Sequence, residues 1–327
     1  MKLKELYDTI IKKGIEFDPR GREAVEKELE KVNQEYKKLS ENEKKEFDLE
    51  GLKNPYADTR ILYGDPNREV KNILIGVDME VGELLLADRL NDKKLSRGTP
   101  ASGIKKIDLV MAHHPEGRAL AGLYQVMNVQ TDILNKIGVP IAAAEGLMKE
   151  RISEVQRSIA PINHYRSVDA ARLLDMPFMC CHTPADNCVT TYLTKMVERK
   201  KPETAGDVVK ILKEAPEYKD ASAKNAGPRI IKGDKNAKAG KVFVDMTGGT
   251  EGSKDIFVKL SQAGVGTLVC MHLSEQHFTM AKKEFINIII AGHIASDTVG
   301  LNLMLDEIQK KGKLNIMSCS GFRRIER

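Results

Sequence analysis

The sequence predicts an α/β fold of two lobes with largely parallel sheets, preceded by a charged helical extension. Three observations carry this expectation. From Asn72 onward, short β-rich apolar runs alternate with stretches of helical periodicity, the pattern of strand-helix-strand units. The 327 residues suffice for one large core or two moderate ones. A Lys-, Asn-, Ala- and Gly-rich stretch, 221–240, interrupts the periodicity between two such alternating halves. The expected organisation is a helical extension over 1–54, a first lobe over 55–220, an exposed connection over 221–240, and a second lobe over 241–327 packed back on the first.

In the extension, Leu3, Leu6, Tyr7, Ile10 and Ile11 mark a short amphipathic helix, which Pro19 separates from a second. Val25, Leu29, Val32, Tyr36 and Leu39 form an apolar seam along that second, heavily charged helix. The seam suits either a hairpin covering its own domain or a contact with a neighbouring subunit. Strands are expected at 72–77, 107–112, 177–181, 241–246, 267–271 and 286–291, with a final one at 314–319. Helical patterns fall at 81–90, 119–137, 147–160, 168–174, 189–198, 207–214, 254–263, 275–284 and 297–310.

Composition narrows the functional class. Charged residues make up 30% of the chain and aromatics 5%, with no Trp, as expected of a soluble intracellular protein. The net charge of +5 is small and its basic residues are scattered, so nothing here points to nucleic acid. Five cysteines without CxxC spacing do not make a disulfide framework and fit the reducing cytoplasm. No apolar run approaches the roughly 18 residues that a bilayer span requires. The first residues also lack the apolar core of a signal peptide, so a cytoplasmic location is expected.

The chemistry is written at the strand ends. Val77 is followed by Asp78, Ala112 by His113 and His114, Cys181 by His182, Met271 by His272, and Gly292 by His293. Five of the seven histidines therefore sit where open parallel sheets gather their ligands. Asp186 and Asp297 each lie four residues beyond a strand-terminal histidine, and a helical turn at those points would aim both pairs into one cleft. His113, His114 and His293 with Asp186 and Asp297 are too many ligands for one ion with an open position, but they suit two divalent ions a few ångströms apart. Zinc, iron, manganese and nickel all accept such mixed donors. Pro115 biases His114 toward extended backbone and away from a helical turn.

Taken in order, the apolar strand ending in His-His-Pro, His182-Thr-x-x-Asp186, the Gly-Gly-rich turn and Gly292-His293-x-x-x-Asp297 resemble the Nif-three-like family (NGG-interacting factor three). That family is also described as GTP cyclohydrolase I type 2-like dinuclear-metal hexameric proteins. The resemblance runs from about Tyr56 to Ser318 and includes 56–65 and 73–78. It implies the family's two-lobed fold, two metals on His113, His114, Asp186, His293 and Asp297, and a homohexamer. It also implies a metal-dependent hydrolase acting on a phosphoester or nucleotide-like substrate. The alternative, also in keeping with the family, is a toroidal binding or regulatory protein with structural or sensory metals. Two departures stand out: the family's last ligand is normally Glu, and Glu116-Gly117-Arg118 replaces the usual apolar residues after His-His-Pro.

Four further residues are candidates. His182 is placed to orient Asp186 by hydrogen bonding. His277 reads either as a substrate contact or as a helix cap. Gly248 and Gly249, between a strand and a helix, form either an anion cradle or a tight structural turn.

Overall fold

A computed structural model describes residues 1–92 and 106–327. Among the described residues, nine strands form two sheets: β1 (Arg60–Tyr63), β2 (Asn72–Gly76), β3 (Leu109–Ala112), β4 (Phe178–Cys180), β5 (Arg229–Lys232), β6 (Lys241–Asp245), β7 (Val265–Cys270), β8 (Asn287–Ile290) and β9 (Asn315–Ser318). The first has the order β1-β4-β3-β2-β9 and the second β5-β8-β7-β6. Every pairing is parallel except those of β1 with β4 and β5 with β8, so each sheet carries one antiparallel edge. This is the predicted α/β fold. The central strands are buried on both faces, which explains why they read as continuous apolar runs.

The two antiparallel edge strands, β1 and β5, were not expected from sequence. Arg60-Ile-Leu-Tyr63 and Arg229-Ile-Ile-Lys232 each carry only a short apolar core between charged or polar ends, as edge strands do. The stretch 221–240 therefore opens the second sheet rather than serving only as an exposed connection. In the other direction, β9 returns from 241–327 to lie beside β2 in the first sheet.

The N-terminal helix Leu3–Glu16 is part of the core. Leu3, Leu6 and Ile10 are fully buried in one cluster with Ile73 and Ile75 of β2 and with Leu301, Leu305 and Ile308. Each such side chain contributes about 1.5–3 kcal/mol by leaving water. The second helix, Arg22–Lys38, buries only Val25 completely. The rest of its seam is half-buried on the segment that follows it, with Tyr36 against Phe47 at 4.9 Å between ring centroids.

Two long helices carry the site. Thr183–Lys200 follows β4 and His293–Gln309 follows β8, each starting earlier than the apolar periodicity indicated. Pro184 sits in the first turn of the former, where its missing N–H costs nothing. The two cross closely: a Cβ added at Gly300 would lie 2.4 Å from the Ala185 carbonyl. The helical pattern at 119–137 is broken into Gly117–Ala121, Leu123–Val126 and Asn128–Ile137.

Candidate metal centre

The carboxyl ends of the two sheets face each other, and their strand-terminal residues meet. β3 delivers His113 and His114. The turn after β4 delivers His182, with Asp186 in the first helical turn beyond it. β8 delivers His293, the first residue of its helix, with Asp297 one turn on. His113 Nε2 lies 3.4 Å from Asp186 Oδ1 and 3.5 Å from Asp297 Oδ1. His114 Nε2 lies 3.4 Å from His293 Nε2 and 3.6 Å from Asp297 Oδ2, and His293 Nε2 is also 3.6 Å from that oxygen. All five expected residues are thus brought together.

The rings are held in a metal-binding tautomer. His113 Nδ1 donates to the Cys181 carbonyl at 3.0 Å, and His114 Nδ1 donates to Asp78 at 2.6 Å, leaving each Nε2 to face the cluster. His182 Nδ1 likewise donates to Asp58 at 2.8 Å, and the same carboxylate accepts from Thr183 Oγ1 at 2.6 Å. Asp78 and Asp58 have no role in the sequence reading. Only their partners across the fold reveal them.

Electrostatics mark the centre as built for cations. Asp297 is 0% exposed, and neither of its oxygens, nor Oδ1 of Asp186, has a hydrogen-bond donor among the described residues. Burial alone would raise Asp297, but the imidazoles of His113, His293 and His114 hold it below the usual carboxylate range. Burial would depress His113, yet the Asp297 and Asp186 carboxylates outweigh it and lift the ring well above the ordinary histidine value. Burial and the neighbouring rings of His113 and His182 push His114 down to about 4, so at neutral pH it presents a free lone pair. Three sets could each hold a metal ion: His113, Asp186 and Asp297; His114, His293 and Asp297; and His113, His114 and His182. The last set includes His182, whose Nε2 also lies 3.8 Å from Asp186 Oδ2.

The crystal structure of a NIF3 superfamily protein from Sphaerobacter thermophilus superposes with a TM-score of 0.67 and 26% identity, covering 81% of this chain and 91% of that one. This chain has the NIF3-like fold. Reduced HcgD from Methanocaldococcus jannaschii is also similar, at 14% identity and a TM-score of 0.48, over 79% of this chain and 87% of its own. A Bacillus cereus protein related to NIF3 matches at 12% identity and a TM-score of 0.42, over 80% and 90%. No protein-family model and no curated protein matches the sequence.

In this NIF3-like fold the cluster opens into a pocket of about 310 Å³. Gly248 and Gly249 both have positive φ, and a Cβ at Gly248 would meet Gln130 Cγ at 2.6 Å. Gln130 Nε2 donates to the Gly248 and Thr250 carbonyls, at 2.7 Å each, so the turn is clamped onto the helix Asn128–Ile137. His277 spends Nε2 on the Gly252 carbonyl at 3.0 Å and Nδ1 on Ser274 Oγ at 2.6 Å, which places it as a brace for the same turn. Glu251 pairs with His272 at 3.2 Å, and the His272 ring lies 4.8 Å from that of His293. Burial would raise Glu251, but the His272 hydrogen bond and the His277 ring bring it down to about 2. Among the described residues, no helix is long and apolar enough to cross a membrane.

Proposed function

We propose that this chain is a dinuclear divalent-metal hydrolase acting on a phosphoester or nucleotide-like substrate. The observation that carries the reading is Asp297, a fully buried carboxylate whose Oδ1 faces His113 and whose Oδ2 faces His114 and His293, with no donor on either oxygen among the described residues. A buried charge in that state is costly unless a cation satisfies it. Orphaned acceptors and imidazole lone pairs pointing at one another fit metal ions. His113, Asp186 and Asp297 Oδ1, with His182 beside them, would hold one ion, and His114, His293 and Asp297 Oδ2 the other. The sharing of Asp297 suits a shorter acid than the family's usual Glu, because each oxygen already lies on its own side of the cleft.

When bound, such ions supply Lewis acidity and acidify a water toward neutrality. The chain's own side chains do the remainder. Asp78, Asp58 and the Cys181 carbonyl fix the rings that face the cleft. Leu123, Phe257 and Leu268 line the pocket with surface that excludes water.

Elemental analysis of the purified protein is expected to give two metal equivalents per chain, falling sharply in a His113→Ala, His293→Ala variant. A panel of nucleotides and simple phosphodiesters is expected to be turned over by the metal-loaded protein and not by His114→Ala. Full metal retention by the double variant refutes the ligand assignment, and inactivity across metals and substrates favours a binding role. The resemblance also supports a homohexamer, and the cysteine usage supports a cytoplasmic location. Light scattering at six times the chain mass, and cell fractionation, test these.

A further inference from the structure

The pocket above the metal ligands runs back to Asp245, the last residue of β6, which the proposed centre does not use. Asp245 lines the same cavity as His113, His114, His293 and Asp297, and it also borders a smaller void behind the Gly-rich turn. Among the described residues, no N–H or O–H group donates to its carboxylate. Donors that line the same two cavities are engaged elsewhere: Gln130 on the Gly248 and Thr250 carbonyls, and His277 on the Gly252 carbonyl. The larger cavity has an apolar lining of Leu123, Ile256, Phe257, Leu260 and Leu268 beside the polar Thr247, Thr250 and Glu251.

Burial, assisted by the Glu251 carboxylate, raises Asp245 to about 6. The folded chain is therefore worse off for carrying it ionised near neutral pH. An acceptor kept at such a cost, facing a cavity with aromatic and aliphatic walls, is positioned for a ligand's donors rather than for the fold. At the His/Asp cluster lining the same pocket the character would be complementary, since the two proposed divalent ions would exceed the charge of Asp186 and Asp297 and leave a positive surplus.

We propose that Asp245 determines specificity by accepting N–H groups from the edge of a planar nitrogen heterocycle, whose flat faces lie on the apolar walls and whose electron-rich reacting end lies at the ions. A carboxylate accepts two parallel N–H bonds from an amidine- or guanidine-like edge in the geometry it uses for arginine. The substrate class is therefore an aminated heterocycle bearing an anionic or carbonyl-type group. This inference rests on the dinuclear reading for the orientation of the ligand, but not for the role of Asp245.

The test uses the metal-loaded protein and two small probes, 2-aminobenzimidazole and benzimidazole, titrated by calorimetry. Both carry a ring nitrogen able to reach a metal, and only the first offers a cyclic guanidine edge. The aminated probe is expected to bind at least tenfold more tightly. Asp245→Asn and Asp245→Ala are each expected to bring the two probes within twofold of each other while keeping wild-type metal content. Equal binding of the probes to the wild-type protein, or a preference surviving in both variants, overturns the proposal and leaves the metal reading standing. Absence of metal with the aminated preference intact refutes the dinuclear reading and supports the role of Asp245.

Discussion

Asp297 is the residue through which the two halves of the centre communicate, and replacing it separates shared from private ligation. Its Oδ1 lies 3.5 Å from His113 Nε2 and its Oδ2 lies 3.6 Å from both His114 Nε2 and His293 Nε2. His293, by contrast, belongs to one set only. An ion that binds only the folded state stabilises it by about 2.7 kcal/mol at a free concentration about 100 times its Kd. Two ions give about 5 kcal/mol on the same arithmetic. At about 2 °C per kcal/mol for a chain of this size, metal loading is expected to raise Tm by about 10 °C over chelator-treated protein. Asp297→Asn removes a ligand from both ions, so the metal-dependent rise should nearly vanish. His293→Ala should leave about half of it, about 5 °C, and one metal equivalent. Differential scanning calorimetry with elemental analysis measures both. If Asp297→Asn keeps as large a rise as His293→Ala, the shared-carboxylate geometry is wrong.

Asp58→Asn disturbs the carboxylate that fixes both His182 and Thr183, and metal titration is expected to show an affinity loss of about 10–100-fold without a change in ligand count. Gly248→Ala, at φ +91° and with Gln130 in the way, should cost about 1–3 kcal/mol in urea denaturation. Gly146→Ala, in open space within the helix Ile141–Ile159, should gain up to about 1 kcal/mol in the same assay. Asp245 gives a pH signature with a definite sign. Its pKa is raised in the folded state, so the wild-type chain loses stability relative to Asp245→Asn as pH rises from the unfolded value near 3.8 to about 6, and the deficit is constant above that. Denaturation at pH 4 and pH 8 should show the variant gaining about 2 kcal/mol between them. A variant whose advantage is equal at both pH values would contradict the burial of that carboxylate.

β2, β3, β4 and β6 to β9 all fall on the expected apolar runs, most plainly the inner strands β2, β3 and β4, where little but apolar residues fits. The antiparallel edge strands β1 and β5 escaped because their four residues hold only an apolar pair between charged or polar ends and no repeating pattern. The clustered residues were legible through their position after strands and through the four-residue spacing, which helices starting at Thr183 and His293 turn into one facing edge. The apolar periodicity placed those starts too late, since Thr183-Pro-Ala-Asp186 faces the site and carries no hydrophobic repeat. Asp58 and Asp78 were invisible as partners, because their roles depend on His182 and His114, which are 124 and 36 residues away. His182 was expected to orient Asp186, but a nitrogen 3.8 Å from that carboxylate and a ring 4.9 Å from His113 place it inside the cluster.

The contact between Gly300 and the Ala185 carbonyl has a consequence for tuning. Ala185 precedes Asp186 and Gly300 follows Asp297 by less than one turn, so the absence of one methyl group sets how far apart the two carboxylates stand. A fold that brings its backbones this close can reach across a cleft with aspartate where a more widely spaced pair of helices needs a longer acid. Gly300 thus works as a spacer gauge. Selection acting on this one position, three residues from Asp297, can open or close the gap between the two carboxylates without altering either of them.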